Sequence, residues 1–181
     1  MDQLIDRAVG ALRRINDGIA IAAGLILLLT VGYILTDIVG RRFGTGLGGT
    51  EEYAGYVMAI TTSWAMAYAL SRLAHVRIDL VRAKLRPMGQ VAMDVLALWA
   101  LAATAIFIGI KAWPVFARSW RLDSAANTPL ETPLWIPQIL WWSGWAWFAL
   151  TASIFALAIA WYAARKQIEK AEAVGGAGTE V

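Results

Sequence analysis

The sequence predicts an all-α integral membrane protein. Four transmembrane helices are expected with both termini cytoplasmic, together with amphipathic interfacial helices in the N-terminal arm and the central loop. Three observations carry this. Of 181 residues, 59% are hydrophobic and only 16% charged, whereas a soluble domain carries about 25% charged residues to keep its surface wet. Four apolar stretches are long enough for the roughly 20 residues that cross a hydrocarbon core as helix, where lipid cannot satisfy free backbone groups. Finally, Lys and Arg are unevenly shared. Arg7, Arg13 and Arg14, then Arg72, Arg77, Arg82, Lys84 and Arg86, then Arg165, Lys166 and Lys170 give eleven on one side of the four stretches. Arg41, Arg42, Lys111, Arg118 and Arg121 give five on the other. The richer side is the cytoplasmic one.

The elements follow in chain order. In residues 1–15, Leu4, Ile5, Ala8, Val9, Leu12 and Ile15 recur at helical spacing, which predicts an amphipathic cytoplasmic arm lying on the membrane surface. The membrane domain covers 16–168. Its first span is about 17–39, with Asn16 or Asp17 as its cap and Asp37, Arg41 and Arg42 at its close. The run is too long for a signal-peptide core, and no small-residue cleavage site follows it. A periplasmic loop over 40–50 leads to a second span over 51–72, entered through Thr50, Glu51 and Glu52. The cytoplasmic loop is 73–89, with a short amphipathic helix expected from Leu80 to Arg86, capped by Asp79 and stopped by Pro87. The third span, about 90–112, ends near Lys111 and Pro114, and a second periplasmic loop covers 113–135. Pro133 and Pro137 hold the entry to the last span, 136–164, in the outer interface, and a flexible tail covers 169–181.

Charged residues near the spans are the candidates for chemistry. Asp37 and Arg41 stand four apart, the spacing of a helical ion pair. Asp94 lies about one turn inside the third span; it is read as reaching Lys84 or Arg86, or a partner chain, in preference to a proton relay. Glu51 and Glu52 suit the positive end of a helix dipole with Thr50 as N-cap, or alternatively an outer docking point for a basic surface. Seven tryptophans, Trp113, Trp120, Trp135, Trp141, Trp142, Trp145 and Trp147, cluster around the second outer loop and the last helix as interface anchors. The segment SRLAHVRIDLVR, residues 71–82, holds the single histidine, His75, beside Arg77 and Asp79. A relay needs further buried titratable partners, so His75 reads as a hydrogen-bonding residue at a membrane-edge turn. The sequence contains no cysteine, which excludes disulfides and thiolate metal sites. No phosphate-binding, metal or nucleophile–base motif is present, and no cofactor or nucleic-acid partner is expected.

The order of segments carries a resemblance. Glu51-Glu52 opens the second helix, and Ser63-Trp64-Ala65 follows within it. AHVRIDLV and KLRP come next, and NTPLETPLWIPQ precedes the last helix. Over roughly residues 15–165 this resembles the small membrane subunit of tripartite ATP-independent periplasmic (TRAP) transporters, the DctQ-like family. The resemblance implies a non-enzymatic scaffold subunit in the bacterial inner membrane. It would pair with a large transport subunit and help dock a periplasmic binding protein, in a system importing an organic acid on an ion gradient, usually sodium. Membrane lipids are the remaining partner. On this reading Glu51, Glu52, Trp64, His75, Arg77, Asp79, Asp94 and Trp135 are the candidate partner-docking residues. Two other readings stand beside it. One is a membrane anchor of a quinone- or haem-linked respiratory enzyme, which requires His75 at membrane depth. The other is an independent small transporter built around Asp94.

Overall fold

The computed structural model describes residues 1–74, 82–128 and 130–176. They form α1 (Asp2–Arg42), α2 (Thr50–Ser71), a 3-10 turn (Arg82–Lys84), α3 (Pro87–Arg121), α4 (Trp135–Ala164) and α5 (Ile168–Gly175). By length and composition α1, α3 and α4 can cross a membrane. The fourth expected span, α2, has 22 residues, about 33 Å of helix, but Glu51, Glu52, Thr61, Thr62 and Ser63 leave it less apolar.

The long helices stand in a row, α1, α2, α4, α3, each packed on its neighbour. On α4, Phe148, Ala152, Phe155, Ile159 and Tyr162 alternate at spacings of four and three and are almost wholly buried, the pattern of a helix covered along one broad face. From α3 they meet Val91, Leu98, Ala102 and Ala105, where alanines let the helices approach closely. A close crossing joins α2 and α4 at Gly144, where a Cβ would stand 2.3 Å from Ser63 Oγ. Only glycine fits there.

Helix ends depart from expectation in three places. Pro87 opens α3 as its first residue, where a missing N–H is not felt. Pro114 then removes one internal hydrogen bond, yet α3 runs on to Arg121, so residues 113–121, expected as loop, are helical. Aromatic packing holds this last stretch: Trp113 meets Trp142 at 4.8 Å and Trp120 meets Trp135 at 4.9 Å between ring centres.

The N-terminal arm is the second departure. It is no separate surface helix but the first four turns of α1, which is unbroken for 41 residues. Nothing in Asn16-Asp17-Gly18 stops the helix, and Val9 and Leu12 are buried in the protein core. Third, the tail expected to be flexible from 169 is helical through Gly175, because Ala171 and Val174 bury their side chains in that core. Among the described residues of the central loop, Arg82–Lys84 forms a 3-10 turn; the expected cap Asp79 and the start of that helix lie outside the described residues.

Candidate functional site

The loops α1–α2 and α3–α4 meet at one end of the row. Asp37, buried near the end of α1, organises the first of them. Its carboxylate accepts from Arg41 (2.7 Å), the Thr50 hydroxyl (2.8 Å) and the Leu47 backbone N–H (2.7 Å), with Gly48 N–H at 3.3 Å. The Asp37–Arg41 pair is thus present, and the carboxylate also gathers a loop that sequence spacing does not reveal. Thr50 is not the N-cap of α2. That place belongs to Gly49, whose φ of 67° lies in the left-handed region, and the Thr50 side chain turns to Asp37 instead. Gly49 also lies against Leu130 of the other loop, where a Cβ would come within 2.2 Å of Leu130 Cδ1.

Glu51 and Glu52, adjacent in sequence, face different surroundings. Glu52 is half-buried, accepts from the Tyr56 hydroxyl at 2.8 Å and lies beside Thr128 and Thr132 of the second loop. Glu51 is exposed. Trp135 stacks edge-on against Trp120 at this same end. Trp64 lies deeper, donating its indole N–H to the Leu140 carbonyl (3.1 Å) and stacking on Trp147. The tryptophans read as interface anchors therefore also join helices in pairs.

Asp94 stands near the opposite end and is almost inaccessible; among the described residues it pairs with Arg82, at 2.9 Å, rather than with Lys84 or Arg86. His75, Arg77 and Asp79 lie outside the described residues. Glu51, Glu52 and Trp135 thus come together at one end, while Asp94 and Trp64 stand apart from them.

Two polar clusters escaped the sequence reading. Asn16, fully buried, donates to the Ala67 carbonyl (3.2 Å) and accepts from the Trp147 indole N–H (2.9 Å), tying α1, α2 and α4 together. Its position on the stripe Val9, Leu12, Asn16, Ala23 was the available signal, since spacings of three, four and seven mark one helix face. Next to it Asp17 pairs with Arg72 at 2.7 Å. The second cluster joins the two ends of the chain. Asp2 accepts from the Trp161 indole (2.8 Å) and Gln167, and Asp6 accepts from the Tyr162 hydroxyl and from Lys170. Arg13 donates to the Ala173 carbonyl of α5. These bonds hold both carboxyls below their ordinary range, the Trp161 bond being the main cause for Asp2 and the Tyr162 bond for Asp6. Among the described residues no group of His, Asp or Glu is arranged to hold a metal ion.

Searches of curated proteins and of solved structures gave no match. Residues 30–173 match the family described as "Tripartite ATP-independent periplasmic transporters, DctQ component". The match takes in α2, α3, α4, both loops at the Asp37 end and most of α5, so the chain belongs to the DctQ family, the small membrane subunit of TRAP transporters.

Proposed function

We propose that this subunit is the static scaffold of its transporter, with four spans, both termini cytoplasmic and the loops at the Asp37 end facing the periplasm. The observation that carries the reading is the knitting of those two loops by Asp37, Gly49, Leu130 and Glu52. It supports a fixed outer platform on which exposed Glu51 and the Trp120–Trp135 pair meet a periplasmic binding protein. The row of helices leaves apolar flanks on α1 and α3, with Leu25, Leu28, Leu29 and Leu35 on one and Leu96, Phe107 and Ile110 on the other more than half exposed. Flanks of this kind suit a bilayer and a large membrane partner. The transported substrate on this reading is an organic acid moved on an ion gradient, probed first with sodium.

The test is uptake by the complex of this chain, its large subunit and the binding protein in liposomes. Charge reversal at Glu51 is expected to lower uptake while the two membrane subunits still co-purify. Full uptake by that variant refutes the docking role, and uptake catalysed by this chain alone refutes the scaffold role. Single cysteines placed in the cysteine-free chain report the topology by labelling from either side.

A further inference from the structure

The start of α1 and the end of α4 leave an apolar groove between them. Leu4, Ile5 and Ala8 line one wall and Ile154, Leu157 and Trp161 the other, around a space of about 370 Å³. The rim is open: Leu4 and Leu157 are 65% and 58% exposed. Inside, no polar atom asks for a partner, because the Trp161 indole N–H is already donated to Asp2. Beyond Trp161 the chemistry changes. Arg165 lies over the Trp161 ring at 4.4 Å and 3.4 Å from Asp2, and exposed Lys166 follows it. Exposed Arg7 precedes Ala8 on α1. Arg165, paired with Asp2, therefore stands at the Trp161 end of a greasy slot, and the exposed bases Lys166 and Arg7 adjoin its lining in sequence.

We propose that this groove binds an anionic phospholipid, one acyl chain lying between α1 and α4 and the phosphate at Arg165 and Lys166. An apolar slot with cations at its mouth matches an amphiphile: methylene surface needs only exclusion from water, and the phosphate meets positive charge. The inference rests on reading α1 and α4 as spans, since only then does the groove open at the lipid boundary.

Trp161 is the reporter. The full chain with its large subunit is placed in nanodiscs containing brominated phosphatidylglycerol or brominated phosphatidylcholine, and quenching at Trp161 is taken as the difference from Trp161→Phe. Phosphatidylglycerol is expected to quench Trp161 at about one-fifth the concentration that phosphatidylcholine needs, the preference given by the one net positive charge that Arg165 and Lys166 keep beside Asp2 at a membrane surface. Lys166→Gln and Arg7→Gln, neither with a bond that shapes the fold, are each expected to narrow that preference, and added inorganic phosphate to leave it unchanged. Equal quenching by both lipids overturns the proposal in favour of unselective boundary lipid. Displacement by inorganic phosphate overturns it in favour of an anion site. Quenching of the other tryptophans without Trp161 also overturns it, because a protein segment then covers the groove. Failure of every tryptophan to be quenched overturns the spanning reading, and the lipid site with it.

Discussion

The bridge made by Asn16 can be tested most sharply, because it links three helices through one uncharged side chain. Replacing it in Asn16→Leu keeps the volume but removes the acceptor of the Trp147 indole N–H, 2.9 Å away, and the donor to Ala67. The carbonyl of Ala67 loses little, since it belongs to the helical ladder of α2. The orphaned indole N–H dominates the cost, about 1–3 kcal/mol for a buried donor left without a partner. Part of this is offset by the apolar gain of leucine, so a net loss of about 1 kcal/mol is expected. Trp147→Phe leaves the Asn16 amide unpaired in turn, and the double variant removes both polar groups. The coupling should therefore lie near the average of about 0.6 kcal/mol for hydrogen bonds between membrane helices and below their maximum of about 1.7 kcal/mol. Reversible unfolding in mixed micelles, followed by far-ultraviolet circular dichroism so that loss of a tryptophan does not bias the signal, measures all four corners of the cycle. A coupling below about 0.3 kcal/mol, the level at which separate sites simply add, refutes the reasoning. A stabilising Asn16→Leu does so as well.

Three further outcomes are expected. Gly144→Ala drives a methyl into Ser63 Oγ and is expected to lower stability by about 1–3 kcal/mol, as overpacking does; an unchanged thermal midpoint in detergent contradicts the close α2–α4 crossing. In Asp37→Ala the Leu47 and Gly48 amides lose their acceptor, so hydrogen exchange in residues 43–50 should quicken selectively. If Arg41→Gln quickens it equally, the ion pair and not the amide contacts holds the loop. The clasp between the chain ends should depend on acid. Asp2 and Asp6 have folded-state pKa values below the ordinary 3.8, so their contribution is present above that value and is lost as pH falls through the lowered ones. Release of Trp161 fluorescence below about pH 4 checks this against the usual carboxyl pKa, and release near neutrality contradicts it.

Much of this architecture is written locally in the chain. Apolar stretches long enough to span predict the long helices, and a spacing of four predicts Asp37 with Arg41. What the sequence conceals depends on tertiary placement. Asp94 was expected to reach Lys84 or Arg86, or a partner chain; sequence spacing alone does not say which base meets it, and in the fold Arg82 does. Asn16 and Asp17 have the composition of a helix cap; only α2 and α4 beside them turn both into bridges. Asp2 meets Trp161 across 159 positions, a separation at which no periodicity speaks. Glu51 and Glu52 are equivalent in a dipole argument, and only the approach of the second loop makes Glu52 an inward residue and leaves Glu51 outward.

The placement of polar ties along the row bears on what the subunit can do. Asp37 with Thr50 fixes α1 to α2 at one end, Asn16 fixes α1 to α2 and α4 in the middle, and Asp2 and Asp6 fix α1 to α4 and α5 at the other. A helix pinned at three levels to neighbours on the same side cannot slide by a turn without breaking every tie at once. The close Gly144–Ser63 crossing similarly resists displacement of α2 along α4, because interlocked surfaces have no graded intermediate positions. On the scaffold reading proposed above, mobility is therefore expected in the large partner, because the exposed leucine and phenylalanine side chains of the flanks offer it no directional bonds. This division, polar ties within the row and exposed apolar surface outside it, is the physical argument behind the scaffold role proposed above.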